Sequence, residues 1–251
     1  QGLQNGVLSS FGNRATNSVY VWSMRSTIPY KGLPKGRRIQ LTNADIDLLR
    51  NRVPEIEHLA PRNQLGGFRG SNNVVRKNKT GAFSIFGDYP EVRFINPMTM
   101  DLGRFINHLD MEDKRKVCVI GTKVREIMFE PHENPIGQSI QINGVYFDVV
   151  GGYSTPATGE QAEEETQTIY IPFTTFQKAF NYGNRVSWFS MTTKASISGS
   201  ALEEKVKQVL KQVHSVHPKD PRAFGGFNME ERFKQMTGMF AGIETLTWFV
   251  G

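Results

Sequence analysis

His214 and His217 are the first place to look for chemistry, because two imidazoles three residues apart near a helix end can share a metal ion. No third ligand stands nearby, and the helix dipole independently favours a histidine in a last turn, so the pair reads as structural. His58, His108 and His132 sit in unrelated contexts and form no group. Glu163, Glu164 and Glu165 are adjacent carboxylates without the spaced oxygen or imidazole ligands of a common coordination loop, and residues 154–167 read as a solvated acidic loop. Gly66, Gly67 and Gly70 make the run GGFRG, which lacks the following Lys-Ser/Thr and the strand-to-helix setting of a phosphate cradle; it reads as a flexible turn. Gly-x-Ser-x-Gly does not occur. Cys118 is the only cysteine and lies in the apolar run Val117-Cys118-Val119-Ile120, so a buried small hydrophobe is expected rather than a reactive thiol. These residues assign no catalytic side chain, no cofactor and no metal site, and they do not single out partner-binding residues.

The chain has 251 residues, enough for one large domain or two small ones. Its net charge of +6 comes from 30 basic and 24 acidic residues, scattered apart from Arg37-Arg38 and Lys114-Arg115-Lys116. A nucleic-acid surface needs a basic stripe interleaved with aromatics, so no nucleic-acid partner is expected.

The elements that must carry these residues follow from periodicity. The run 117–120 suits a strand buried on both faces, and Val124, Ile127 and Met128 follow at helical spacing until Pro131. Ile140, Ile142, Val145, Phe147 and Val149 alternate around Asn143-Gly144, the strongest short hairpin signal in the chain. Toward the start, 2–16 has an amphipathic helical pattern, 19–22 is strand-like and 26–36 is a turn-rich crossing. A first βαβ unit is expected from a strand at 38–41, a helix capped by Thr42 and Asp45, and a strand at 56–60. A hairpin joins 73–77 to 82–86 through 78–81, where the sequon Asn78-Lys79-Thr80 is discounted. Near the end, a strand at 186–191, a helix capped by Ser200 and Glu203 with the stripe Leu202, Val206, Val209, Leu210 and Val213, and a strand at 223–228 form a second unit. Asn228 and Glu231 cap a last helix. The expected fold class is α+β, with the two end units paired because neither buries its apolar face alone.

VIGTKVREIMF, NPIGQSIQINGVYFDVVGGY and IYIPFTTFQ, in that order and spacing, resemble the core of the periplasmic domain of MacB/FtsX-type ABC transporter permeases. Asp101-Leu102-Gly103-Arg104-Phe105 is similar to the family's Gly-Arg-Phe element, and ATNSVYVW with TIPYKGLPKGRRIQLTNAD resembles the Bacteroides-type branch. Gly121, Pro135, Gly137, Gly151 and Pro172 match family positions, each with a backbone reason to be there. The resemblance implies a discontinuous membrane-proximal (Porter-like) subdomain of two βαβ units, residues 19–98 and 184–235, with an inserted strand-rich (Sabre-like) subdomain at 99–183. It also implies that 1–18 extends a first membrane helix and that 236–251, with Trp248 at the interface, begins a second.

The implied role is mechanical and non-catalytic. The domain would sit in the periplasm as part of an inner-membrane protein, and the chain ends would carry force into it. Implied partners are a cytoplasmic ABC ATPase on a separate domain or chain, a second permease copy in a dimer, and a membrane-fusion protein with an outer-membrane channel for efflux. Alternatives are a lipoprotein-releasing permease, an FtsX-like activator of a peptidoglycan hydrolase, or an autonomous periplasmic binding protein or enzyme, which would need a concave pocket with convergent polar groups.

Overall fold

Alternation of Val19, Tyr20, Val21 and Trp22 produces β1 (Ser18–Ser23), with Val19 and Val21 fully buried on one face and Trp22 exposed on the other. A computed structural model of the chain describes residues 16–65 and 73–235. After β1 come β2 (Leu41–Thr42), α1 (Asn43–Arg52), β3 (Ile56–Gln64), β4 (Asn73–Arg76), β5 (Lys79–Ala82), β6 (Ser84–Asp88), α2 (Val92–Ile95), β7 (Thr99–Gly103), α3 (His108–Glu112) and β8 (Val117–Gly121). The chain continues with α4 (Thr122–Met128), β9 (Ser139–Ile142), β10 (Val145–Ser154), α5 (Gly159–Thr166), β11 (Thr168–Pro172) and α6 (Phe173–Ala179). It ends with β12 (Arg185–Val186), β13 (Trp188–Thr193), α7 (Gly199–Val213) and β14 (Phe224–Asn228), after which 229–235 are helical.

The expected α+β class holds. Strands pair in the order β14-β1-β13-β3-β6-β11-β8-β10-β9-β4-β5, with β7 on β10. At one end, β1 and β3 flank β13 antiparallel, while β13 and β14 flank β1 antiparallel. The chain therefore interlocks two split βαβ units, β1–α1–β3 and β13–α7–β14, in one four-stranded half of the sheet. Ile46 and Leu49 of α1 and Leu202, Val206 and Leu210 of α7 bury Val19, Val21, Phe189 and Met191 beneath one helical layer. This terminal half holds both ends of the described chain.

Everything between β3 and β13 is inserted. In that inserted half, Cys118 and Ile120 of β8, Phe147 and Val149 of β10, and Ile169 and Ile171 of β11 pack with Val124 and Met128 of α4 and Phe176 of α6. Val119, Tyr153 and Tyr170 point to the opposite face and join Ala60 of β3, Val92 and Ile95 of α2, Phe105 and Ile106, with Tyr20 of β1 packed against them. Strand β8 is thus buried on both faces, as its unbroken apolar run requires. Asn143 and Gly144 both have positive φ, +43° and +85°, and Ile142 faces Val145 across the two-residue turn, so the predicted hairpin forms.

Several expectations need correction. The first βαβ unit begins at β1, not at 38–41: only Ile39 and Leu41 are apolar there, and Leu41 pairs with Val186 in a separate two-stranded ladder. The early hairpin turns at Lys77-Asn78, because Lys77 takes φ +52° and Arg76 faces Lys79. Phe83 then leaves the ladder for the inserted core, and β6 pairs with β3 and β11. Val74, Phe83 and Ile85 share that core with Cys118 and Ile171, so 73–88 pack with the inserted half rather than with the terminal one. Residues 159–166 of the expected acidic loop form α5. The cap of α7 is Ser198, whose hydroxyl accepts the Ala201 N–H at 3.2 Å, while Ser200 Oγ accepts Asn228 Nδ2 at 3.0 Å. The glycine-rich GGFRG run, nearly all of the expected helix at 2–16 and the apolar end from 236 lie outside the described residues.

The turn-rich crossing after β1 is held by Asp220, which is fully buried. Its carboxylate accepts the Thr27 N–H at 2.6 Å, the Thr27 hydroxyl at 2.7 Å, and the Ile28 and Arg222 N–H groups at 3.0 Å each. Burial by itself would raise this carboxyl, but the bonds from Thr27, Arg222 and Ile28 hold it down at about 2, below the ordinary 3.8. A depressed carboxyl contributes stability above its unfolded pKa and loses it as pH falls through the folded one. Asp220→Asn is expected to lower unfolding free energy at neutral pH by about 1–3 kcal/mol. It should also flatten the loss of stability between about pH 4 and pH 2, read by urea unfolding across that range; an unchanged acid limb would contradict the assignment.

Candidate functional site

Two places concentrate polar side chains with structural consequences: the edge where the chain enters and leaves, and the joint between the halves.

At the edge, Val19 of β1 lies opposite Asn228 of β14, so the entering and leaving segments are hydrogen-bonded neighbours. Asn17 Nδ2 donates to the Thr193 carbonyl at 2.8 Å, tying the entry to β13. Asn228 Oδ1 accepts the Glu230 and Glu231 N–H groups at 3.0 and 3.4 Å, which starts the helical segment 229–235 much as its sequence suggested. Glu230 Oε2 then accepts the Gly199 N–H at 2.9 Å, joining that segment to the N-terminus of α7. The Lys234 ammonium and the Gly199 N–H both lower the Glu230 carboxyl. Glu55 Oε1 takes Lys205 Nζ at 2.5 Å, and Lys194 N–H donates to the Glu55 carbonyl at 3.0 Å, bracing the start of β3 against α7 and the end of β13. A cleft of 520 Å³ lined by Asn17, Glu57, Lys194, Ser196 and Glu230 opens there.

At the joint, β3 changes partners. Its residues from Ile56 to Arg62 pair with β13, and Asn63 and Gln64 pair with β6. Arg62, 6% exposed, donates from Nε to Oδ2 of the fully buried Asp88 at 2.5 Å. Its guanidinium lies 4.2 Å from the Phe86 ring centroid, 5.8 Å from Tyr170 and 5.9 Å from Trp188, and its Nη2 has no hydrogen-bond partner among the described residues. Contact with ring faces offsets part of that omission. Burial raises the Asp88 carboxyl and the pull of Arg62 opposes it, leaving it at about 6.

The residues first suspected of chemistry are dispersed. His214 caps α7 and bonds through Nε2 to Asp45 Oδ1 at 2.8 Å, whereas Nδ1 of His217 accepts the Lys219 N–H at 3.1 Å. His58 contacts Thr192 Oγ1 at 3.0 Å and stacks on Phe94, His108 meets Glu91 at 3.1 Å, and His132 occupies a turn with φ +70°. Glu163 faces Lys123 at 3.6 Å, and Glu165 accepts from Thr155 and Gln161. Among the described residues no three His, Cys, Asp or Glu side chains converge for a metal ion. Cys118 is fully buried, and burial pushes its thiol up, away from the reactive thiolate. Among the described residues no helix is long and apolar enough to cross a membrane.

The motif residues have packing reasons. A Cβ at Gly121 would meet the Thr166 carbonyl, and one at Gly151 the Arg104 carbonyl. Arg104 grips both carboxylate oxygens of buried Asp110, at 2.5 and 2.9 Å, and so places Phe105 in the joint core. The Arg62–Asp88 pair escapes sequence reasoning because its members come from separate strands and no local pattern links them.

The description "MacB-like periplasmic core domain" matches residues 1–209. The chain is 24% identical over 198 residues to the macrolide export ATP-binding/permease protein MacB of Bdellovibrio bacteriovorus, covering 78% of this chain and 29% of that protein. It is 26% identical over 219 residues to the pyoverdine export ATP-binding/permease protein PvdT of Pseudomonas putida, covering 85% of this chain and 31% of the relative. The chain thus spans about a third of the length of these relatives. The fold is that of the periplasmic region of MacB from Actinobacillus actinomycetemcomitans, with TM-score 0.70, 18% identity, and 94% of this chain and 98% of that one covered.

The joint has a direct test. Removing one member of a buried pair strands the other, so Asp88→Ala is expected to cost about 3–5 kcal/mol in urea unfolding. Replacing both with apolar groups, Arg62→Met with Asp88→Leu, should recover most of that loss; equal losses in the single and double variants would show that the pair does not act as a unit.

Proposed function

Because the chain belongs to the MacB-like periplasmic core domain family, we propose that it is the extracytoplasmic domain of an ABC transporter permease and that its work is mechanical. The observation that carries this reading is the pairing of the entering and leaving strands, β1 with β14, at one edge of the terminal half. A displacement of the two chain ends would enter a single hydrogen-bonded unit. It would pass along β1 and β13 to β3, and through the Arg62–Asp88 joint to the inserted half. The membrane-proximal unit on this reading is built from 19–65 and 184–235, and the distal one from the residues between.

ATP would be bound and hydrolysed elsewhere, on a domain or chain at the cytoplasmic side, and the present domain would be non-catalytic. A second permease copy and a membrane-fusion protein leading to an outer-membrane channel are the partners this cycle would require. The relatives named for macrolide and pyoverdine export favour efflux of a small molecule over lipoprotein release or activation of a hydrolase.

The test uses the full-length protein in detergent with its ATPase. Glu230→Ala severs the tie between the leaving segment and α7 without touching a buried core. It is expected to leave thermal unfolding and ATP hydrolysis near wild type and to lower transport several-fold. Failure of the full-length protein either to hydrolyse ATP or to copurify with an ATPase would sink the permease reading, and transport unaffected by the variant would remove Glu230 from the force path.

A further inference from the structure

A cleft of 530 Å³ opens at the Ser23 end of β1, lined in part by Ser23, Arg25, Arg38, Gln40, Tyr182 and Arg185. Every charged side chain lining it is an arginine. None of the three has a salt-bridge partner among the described residues, although surface arginines and carboxylates pair in many other places on this molecule. Arg25 and Arg38 face each other across an antiparallel bridge, an arrangement in which two like charges repel. The backbone nonetheless fixes them there: Ser26 N–H donates to the Arg37 carbonyl at 3.0 Å, and Ile39 N–H to the Met24 carbonyl at 3.3 Å.

The guanidiniums are also partly oriented in advance. Arg25 Nη1 donates to the Gly36 carbonyl at 2.9 Å. Arg185 lies over the Tyr182 ring at 4.9 Å and donates from Nε to the Tyr182 carbonyl at 3.0 Å. Arg38 makes no hydrogen bond or ion pair among the described residues. Each fork therefore keeps N–H donors for a ligand, and a guanidinium fork matches the paired oxygens of a carboxylate or phosphate. The volume lies within the range of about 300 to 1,000 Å³ usual for ligand sites.

We propose that this cleft binds an oxyanion, a carboxylate or phosphate group held between Arg25, Arg38 and Arg185. The bound charge relieves the repulsion that the fold builds into the Arg25–Arg38 bridge. The site stands independently of the mechanical reading, since it needs only the cleft and its charges.

Titration calorimetry on the full chain, at low and at high salt, tests it with citrate, inorganic phosphate and a short glutamate-rich peptide as probes. Citrate or phosphate binding that weakens at least about tenfold in the Arg25→Gln, Arg38→Gln, Arg185→Gln triple variant supports a site for a free small oxyanion. Binding of the peptide alone, lost in the same variant, supports a site whose carboxylates come from a polypeptide. Arg38→Gln by itself removes no internal hydrogen bond, so it should weaken binding several-fold with unfolding unchanged. Absence of binding by all three probes, or binding that persists in the triple variant, overturns the proposal.

Discussion

Strand β3 is the constraint on which the architecture depends. Among the described strands it alone pairs with both halves of the sheet, ending its ladder with β13 at Arg62 and beginning its ladder with β6 at Asn63. Leu59 to Asn63 are all buried, because α1 and α6 lie over one face and α2, with Phe105 and Ile106, over the other. A strand so enclosed must find partners for its polar groups within the protein, and Arg62 finds a carboxylate for its charge in Asp88 at the end of β6. The neighbouring Asn63 performs the same service for the backbone: its Nδ2 donates to the Arg185 carbonyl at 2.8 Å, and its Oδ1 accepts the Ser187 N–H at 2.9 Å. The insertion is thereby anchored at its departure from β3 and again at its return to β13.

The same geometry explains why two hydrophobic clusters are not enough. Helix α6 starts with Phe173 in the terminal core and reaches Phe176 in the inserted core within one turn. The third cluster takes Ala60 from one half and Val119, Tyr153 and Tyr170 from the other. Relative motion of the halves as rigid bodies must therefore disturb packed aromatic contacts, which rearrange between discrete arrangements rather than deform continuously. On the mechanical reading this favours transmission through a stiff body over bending at a loose linker.

What the sequence made legible was local. The strand at 117–120, the hairpin at Asn143-Gly144 and the stripe of α7 each rest on residues within a few positions of one another, where periodicity and turn chemistry operate directly. Thr42 and Asp45 also behave as written, with the Asp45 carboxylate accepting the Thr42 N–H at 2.7 Å. The misreadings concern partner choice. Residues 38–41 and 18–23 both look like strands, and only long-range packing decides that β1 takes the centre of the terminal half. Ser198 and Ser200 both suit an N-cap; Asn228, distant in sequence, occupies Ser200 and leaves the cap to Ser198. Glu163, Glu164 and Glu165 suggested a solvated loop, yet Thr166 is buried and its hydroxyl bonds back to the Ala162 carbonyl at 2.6 Å, closing a helical turn.

The polar features divide along the long axis of β1 in a way that bears on function. Near Ser18 charged and polar side chains are paired, with Glu55 on Lys205, Glu230 on Lys234 and Gly199, and Asn17 on Thr193. Near Ser23 the cleft arginines have no counter-charge among the described residues. Satisfied pairs resist rearrangement because separating them exposes both members to an incomplete set of bonds, whereas unpaired charge gains from any arriving partner of opposite sign. On the two proposals above, one end of the strand ties the entering segment to the leaving one, and the other receives an anion. A ligand at the remote end and a displacement at the chain ends would act on the same strand, since Tyr20 and Val21 connect them through uninterrupted pairing to both β13 and β14. Coupling between them would require that a displacement of β1 change the spacing of Arg25 and Arg38.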